Sequence, residues 1–160
     1  MQRLTILGST GSVGHSTLDV LSLHPHLFSV EALTANNNVD VMLEQCQQYL
    51  PKTVVMVDEV AAELLFSKLI TLGLSGITVL SGAESLLAVA KSDDCDTVMS
   101  AIVGAAGLLP TLGAVRAAKR VLIANKEPLV QSFCQLTVST MLFFNVCLMI
   151  KISKVCVKFI

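Results

Sequence analysis

The segment LTILGSTGSVGHSTLDV, Leu4–Val20, carries three glycines at a spacing of three, Gly8, Gly11 and Gly14. They follow a short apolar run and precede a helix-like pattern. Glycine admits backbone angles that other residues avoid, and its missing side chain lets a ligand approach the main chain. A helix that starts directly behind such a turn presents unpaired N–H groups and a partial positive charge. A diphosphate is the group that this combination suits, with the hydroxyls of Ser9, Thr10 and Ser12 as further donors. The spacing is G-x-x-G-x-x-G rather than G-x-G-x-x-G, a variant of the dinucleotide fingerprint.

A second polar group stands in LIANKEPLV, Leu122–Val130, where an apolar run gives way to Asn125, Lys126 and Glu127. At the carboxyl edge of a parallel sheet these side chains lie where a nicotinamide and its substrate meet. Lys126 is a cationic donor for a substrate phosphate or hydroxyl. A polar cap on the following helix also accounts for the triplet, since an acid at a helix start is favourable in itself. Asn36, Asn37 and Asn38 stand where an NAD enzyme places a carboxylate on the ribose. Their lack of charge removes the repulsion against a 2′-phosphate and tilts the reading to NADP, although no Arg or Lys is present to hold it. The cysteines Cys46 and Cys95 read as core or surface thiols rather than nucleophiles, and His15, His24 and His26 have no metal-ligand spacing.

The elements that must position these residues alternate regularly. Strands are expected at Leu4–Leu7, Val30–Thr34, Thr53–Val57, Ile77–Leu80, Thr97–Ala101 and Val121–Ala124. Between them helices are expected at 12–24, with Val13, Thr17, Val20, Leu21 and Leu23 as its apolar side, at 39–49 with Val39, Met42, Leu43 and Cys46 inward, from Asp58 to about Leu72 with Gly73 as its stop, from the capping box Ser81–Glu84 to Lys91, and at 108–118. The alternation implies βαβ units, a mostly parallel, doubly wound Rossmann-like α/β sheet with helices on both faces.

Composition narrows the function classes. The chain has 160 residues, 53% hydrophobic and 14% charged, with a net charge of −1. No electrostatic footprint for nucleic acid exists. The five cysteines form no C-x-x-C pair, which argues against a disulfide framework or zinc site and for a reduced, cytoplasmic setting. Leu4–Leu7 is too short for the ~7–15-residue apolar core of a secretory signal. None of the twelve acidic residues lies beyond Glu127. Pro128–Ile150 is uncharged and long enough for a bilayer of ~30 Å, yet it contains Gln131, Ser132, Gln135, Thr137, Ser139, Thr140 and Asn145. The final KVCVKFI alternates like an edge strand.

LTILGSTGSVGHSTLDV, AIVGAAGLLPTLGAVRA and IANKEPLV together closely resemble the N-terminal domain of the 1-deoxy-D-xylulose 5-phosphate reductoisomerase family, over about Met1–Val130. The resemblance implies NADPH as cofactor. Thr10, Gly11, Ser12 and Val13 would contact its phosphates, Asn38 would sit near the adenosine ribose and its phosphate, and Asn125 and Glu127 would line the nicotinamide side. Lys126 would contact a sugar-phosphate substrate. The family rearranges 1-deoxy-D-xylulose 5-phosphate and reduces the product to 2-C-methyl-D-erythritol 4-phosphate, for isoprenoid biosynthesis. It uses Mg²⁺ or Mn²⁺ on a V-D-S-E-H-type motif farther along, then a catalytic domain and a helical region, and forms homodimers. Asn36 and Asn37 depart from the glycine and basic or polar residue that the family often has before Asn38.

The expectation is therefore an NADPH-binding domain over 1–130 and a non-family tail over 131–160, arising from a frameshift or truncation, with neither a metal site nor catalytic residues in this chain. Alone it is expected to be inactive in the full reaction. Alternatives are a membrane-tethered, non-catalytic nucleotide-binding module and another NADP-dependent dehydrogenase domain. The latter, of the aspartate-semialdehyde type, would need a catalytic cysteine and histidine that nothing here supplies.

Overall fold

A computed structural model describes residues 1–124 and the short strand 157–159. The element order is β1 (Gln2–Leu7), α1 (Ser12–Ser22), β2 (Phe28–Ala35), α2 (Val39–Tyr49), β3 (Thr53–Met56), α3 (Glu59–Thr71), β4 (Thr78–Ser81), α4 (Gly82–Lys91), β5 (Thr97–Ser100), a single 3₁₀ turn (Ala105–Gly107), α5 (Leu108–Arg116), β6 (Arg120–Ile123) and β7 (Val157–Phe159). The strands form one sheet in the order β4-β3-β2-β1-β5-β6-β7. Every pairing is parallel. Part of the alternating KVCVKFI thus forms the outermost strand.

Alternation along the strands divides the core in two. Leu4, Ile6, Leu33, Ala35, Val54, Met56 and Met99 face α1, α2 and α3, meeting Leu18, Leu21, Met42, Cys46, Leu65 and Leu69. Leu7, Ala32, Val55, Val98, Val121 and Ile123 face α4 and α5, meeting Leu86, Val89, Ala90 and Ala114. Strands buried on both faces read as near-continuous apolar runs, which is why LTIL and VLIA are legible as strands. The chain winds outward from β1 to β4, crosses back through α4, and winds the other way through β5 and β6. The direction of winding reverses beside β1, so the crevice at its carboxyl end lies between strands that run apart.

Helix ends follow local chemistry with one departure. Asn38 and Asp58 cap α2 and α3, accepting from the N–H of Val41 at 3.3 Å and of Ala61 at 2.8 Å. Gly73, at φ 75°, ends α3 in a left-handed step, with Leu74 N–H donating to the Leu69 carbonyl and Gly73 N–H to that of Ile70. The capping box expected at Ser81–Glu84 does not form: Ser81 precedes α4 but its hydroxyl bonds nothing in the first turn. Gly82 opens that helix at φ 83°, and this left-handed entry replaces the approach on which a capping hydroxyl depends.

The inward face of α1 also differs from expectation. Gly14, Leu18 and Leu21 are buried, whereas Val13, Val20 and Leu23 are 37%, 54% and 73% exposed. A helix pressed onto its own glycine turn must turn its smallest residue inward, and Gly14 sets the face. Val13, Thr17 and Val20 instead border an apolar groove of about 400 Å³ with Met99, Leu122 and Ala124.

At the amino ends of the strands, Arg3 ties β1 to β5. Its guanidinium donates to Asp96 at 2.8 and 3.3 Å, and its N–H at 3.0 Å. These bonds hold the Asp96 carboxyl down at about 2. Because that value is depressed on folding, the contribution is complete above the ordinary carboxylate range near pH 4 and is lost as the pH falls through about 2. The pair is largely solvent-exposed, which keeps it modest. Asp96→Asn should therefore lower the melting temperature slightly at pH 7, and thermal melts between pH 7 and pH 2 should show the two proteins converge at the acid end.

Candidate functional site

The three glycines of the first turn have three different physical explanations. Gly8 has φ 82°, and a Cβ there would stand 3.2 Å from the backbone of Ala101, after β5. Conformation and the close pass of two strand ends both require glycine. Gly14 is helical, but its Cβ would lie 2.4 Å from the Ser9 carbonyl oxygen and 2.5 Å from that of Gly8. Only a hydrogen fits where α1 rests on the turn. Gly11 is different. Its φ of −84° and ψ of 168° are open to any residue, it is exposed, and a Cβ would meet nothing nearer than the Gly8 oxygen at 3.5 Å. Nothing in the fold demands glycine at this position.

The head of α1 is left open. Its N-cap is Gly11, with no side-chain cap and no acid in the first turn. Gly11 N–H donates to the Gly8 carbonyl at 3.2 Å and His15 N–H to that of Gly11 at 2.9 Å. Among the described residues no acceptor meets the N–H of Thr10, Ser12 or Val13. Thr10 is half-buried while Ser12 and Val13 are exposed. Unsatisfied donors and the positive end of a helix dipole at one point are chemistry that suits an anion. The Ser9 hydroxyl, expected as a further donor to ligand, is instead buried and donates to the Thr34 carbonyl at 3.3 Å.

Two residues that sequence reasoning missed hold this turn. Thr34, near the end of β2, accepts from Gly8 N–H through its hydroxyl at 3.0 Å. Its carbonyl accepts from Gly8 and Ser9 N–H at 3.1 and 2.8 Å. Gln45, on α2, donates from Nε2 to the Ser9 carbonyl at 3.0 Å. It is 4% exposed, and its Oε1 has no partner among the described residues. A buried unpaired acceptor costs about 1–3 kcal/mol. Gln45 sits beside Gln47 and Gln48 in the sequence, and only its position on the buried stripe with Met42 could have marked it.

The remaining predicted residues fall around the same edge. Asn38 follows β2, is exposed, and its Oδ1 caps α2, leaving its amide N–H groups for other partners. Asn125, Lys126 and Glu127 lie outside the described residues, as does the stretch Pro128–Ile150. The chain enters them from Ala124, whose N–H pairs with Ser100 at 3.2 Å. Cys46 and Cys95 are buried in the core, and burial pushes the Cys46 thiol up to about 12 and raises that of Cys95. Neither is a nucleophile at neutral pH. Among the described residues no three His, Cys, Asp or Glu side chains gather as a metal site, and no helix is long and apolar enough to cross a membrane.

A parallel sheet that reverses its winding beside β1, with a glycine turn and an uncapped helix head at that point, defines a Rossmann-like α/β domain. Comparison with known proteins gives the particular branch. The family model of 1-deoxy-D-xylulose 5-phosphate reductoisomerase matches residues 4–132, and the chain belongs to this family. The reductoisomerases of Burkholderia lata and Colwellia psychrerythraea are 55% and 56% identical over 131 residues, 82% of this chain. The chain spans about a third of the length of these curated relatives, 33% and 32%. A solved DOX-P reductoisomerase in complex with NADPH, fosmidomycin and magnesium superposes with a TM-score of 0.77 at 42% identity, covering 81% of this chain and 31% of the other. The Zymomonas mobilis enzyme in complex with NADPH gives 0.77 at 37%, covering 84% and 35%.

The glycine explanations separate cleanly in experiment. Gly14→Ala should lower the stability to denaturant by about 2 kcal/mol or more, because overpacking against fixed backbone outweighs the usual helical gain of alanine over glycine. Gly11→Ala should leave the unfolding midpoint within error. Urea unfolding of both variants checks the pair.

Proposed function

We propose that this chain is the NADPH-binding part of a 1-deoxy-D-xylulose 5-phosphate reductoisomerase. The enzyme would rearrange its sugar-phosphate substrate and reduce the product to 2-C-methyl-D-erythritol 4-phosphate. The single observation that carries the reading is Gly11: a glycine with no role in the fold, at the mouth of an uncapped helix, in a crevice at the point where the winding reverses. A missing side chain there serves a ligand that must touch the main chain. The NADPH complexes of the similar enzymes support this choice of ligand.

In this reading the N–H groups of Thr10, Ser12 and Val13 and the surface of Gly11 receive the cofactor diphosphate. Asn38, beyond the neighbouring strand β2, stands toward the adenosine ribose and its phosphate. Asn125 and Glu127 follow β6 on the nicotinamide side, and Lys126 takes the phosphate of the substrate. When bound, NADPH supplies the hydride for the reduction. Mg²⁺ or Mn²⁺ needs several oxygen ligands together, and the described residues do not gather them. The chemistry assigned to them is accordingly cofactor binding. The family match ends at residue 132, which supports a boundary near 130 between the nucleotide domain and a tail of other origin.

Titration of the 160-residue chain with NADPH, followed by nicotinamide fluorescence, should give saturable binding that Gly11→Ala weakens by roughly tenfold without altering stability. Absence of binding to the unsubstituted chain, or equal binding by Gly11→Ala, would refute the assignment. Turnover with 1-deoxy-D-xylulose 5-phosphate and Mn²⁺ should be undetectable.

A further inference from the structure

We propose that Gln45 is the positioning residue of the cofactor site, acting through the Ser9–Thr10 peptide; the proposal rests on the nucleotide reading above. The peptide is planar and no cis bond occurs among the described residues, so the Ser9 carbonyl and the Thr10 N–H point in opposite directions. Gln45 Nε2 draws the carbonyl inward at 3.0 Å. The Thr10 N–H is thereby turned outward, beside the open N–H groups of Ser12 and Val13. Thr34 anchors the preceding residues Gly8 and Ser9 but makes no bond to this carbonyl. Gln45 alone, among the described side chains, donates to it.

The form of the Gln45 environment argues for this role over a packing role. Its neighbours on the stripe, Met42 and Cys46, are fully buried and apolar, and a methionine would fill the same space. An amide here leaves Oε1 without a partner among the described residues, a state that a residue serving only to fill the core would avoid. Gln45→Met removes that orphaned acceptor and at the same time strips the Ser9 carbonyl of its donor. The two changes oppose one another in stability, whereas only the loss of the donor acts on the peptide, and it leaves its orientation less fixed. Stability and cofactor affinity should therefore separate.

The test uses the 160-residue chain with Gln45→Met, Gln45→Asn (an amide one methylene too short to reach) and the exposed neighbour Gln47→Met as control. In cofactor-free protein, ¹⁵N NMR should show the Thr10 amide shifted and exchanging faster in both Gln45 variants, with Gln47→Met unchanged. NADPH affinity should fall roughly tenfold in both Gln45 variants, with the melting temperature of Gln45→Met close to the parent and that of Gln45→Asn lower, because its amide stays buried without a partner. An unaltered Thr10 amide together with unaltered affinity, or loss of the fold in both Gln45 variants, would overturn the proposal. If the parent chain itself does not bind NADPH, the nucleotide reading fails, while the Thr10 amide still decides whether Gln45 sets the peptide.

Discussion

The contact between Gly14 and the carbonyls of Gly8 and Ser9 governs the geometry of the first βα unit. A Cβ at Gly14 would lie 2.4–2.5 Å from those oxygens. Because α1 can settle this far onto the turn, its first N–H groups open directly at the end of β1 rather than one helical turn away from it. The same seating chooses which side of α1 faces the sheet, bringing Leu18 and Leu21 onto β1 and β2. Core packing and the anion site therefore share one constraint. A larger residue at Gly14 would lift the helix and disturb both.

The turn is also gripped from both sides of the place where the winding reverses. Thr34 on β2 bonds Gly8 and Ser9, while Leu7 accepts from Ala101 N–H at 2.9 Å on the β5 side. Amides held in place by such bonds have less entropy to lose when an anion binds. The attraction is local. With a net charge of −1 the chain offers no general field for phosphate. What it offers at this crevice is the uncapped head of α1, whereas Asn38 closes α2 and Asp58 closes α3.

Much of this was legible in the sequence, for identifiable reasons. Strands buried on both faces leave apolar runs, and the stops at Gly73 and Pro51 are encoded locally, so element type and order could be read from residues alone. The glycine spacing identified the turn because its chemistry is concentrated in adjacent positions. The failures share the opposite property. The inward face of α1 was assigned by hydrophobicity, but a contact with a carbonyl outranked Val13 and Val20. Ser9 was counted as a ligand donor because its distance from Thr34, 25 residues along the chain, is invisible in one dimension. Gln45 lies 36 residues from the carbonyl it holds. At Ser81 the spacing of a capping box was present, yet the φ of Gly82 cancelled it.

The end of β2 bears on the choice between a 2′-hydroxyl and a 2′-phosphate. A carboxylate there would bond the hydroxyl and repel the phosphate. Asn36, Asn37 and Asn38 supply none. Two acids close to this segment are engaged elsewhere: Asp40 pairs with Lys68 at 2.6 Å, and Asp58, whose N–H donates to the Asn36 carbonyl at 3.1 Å, lies at the positive end of α3, accepting from Ala61 N–H. Asn38 has given its oxygen to the cap of α2, so the part of its amide still available is the N–H₂ donor, the half that suits an anion. Discrimination built this way comes from the absence of repulsion and from neutral donors rather than from a buried cation. Such a site would accept a 2′-phosphate without gripping it hard, and its preference should weaken little with salt, since Asn36, Asn37 and Asn38 bring no formal charge to be screened.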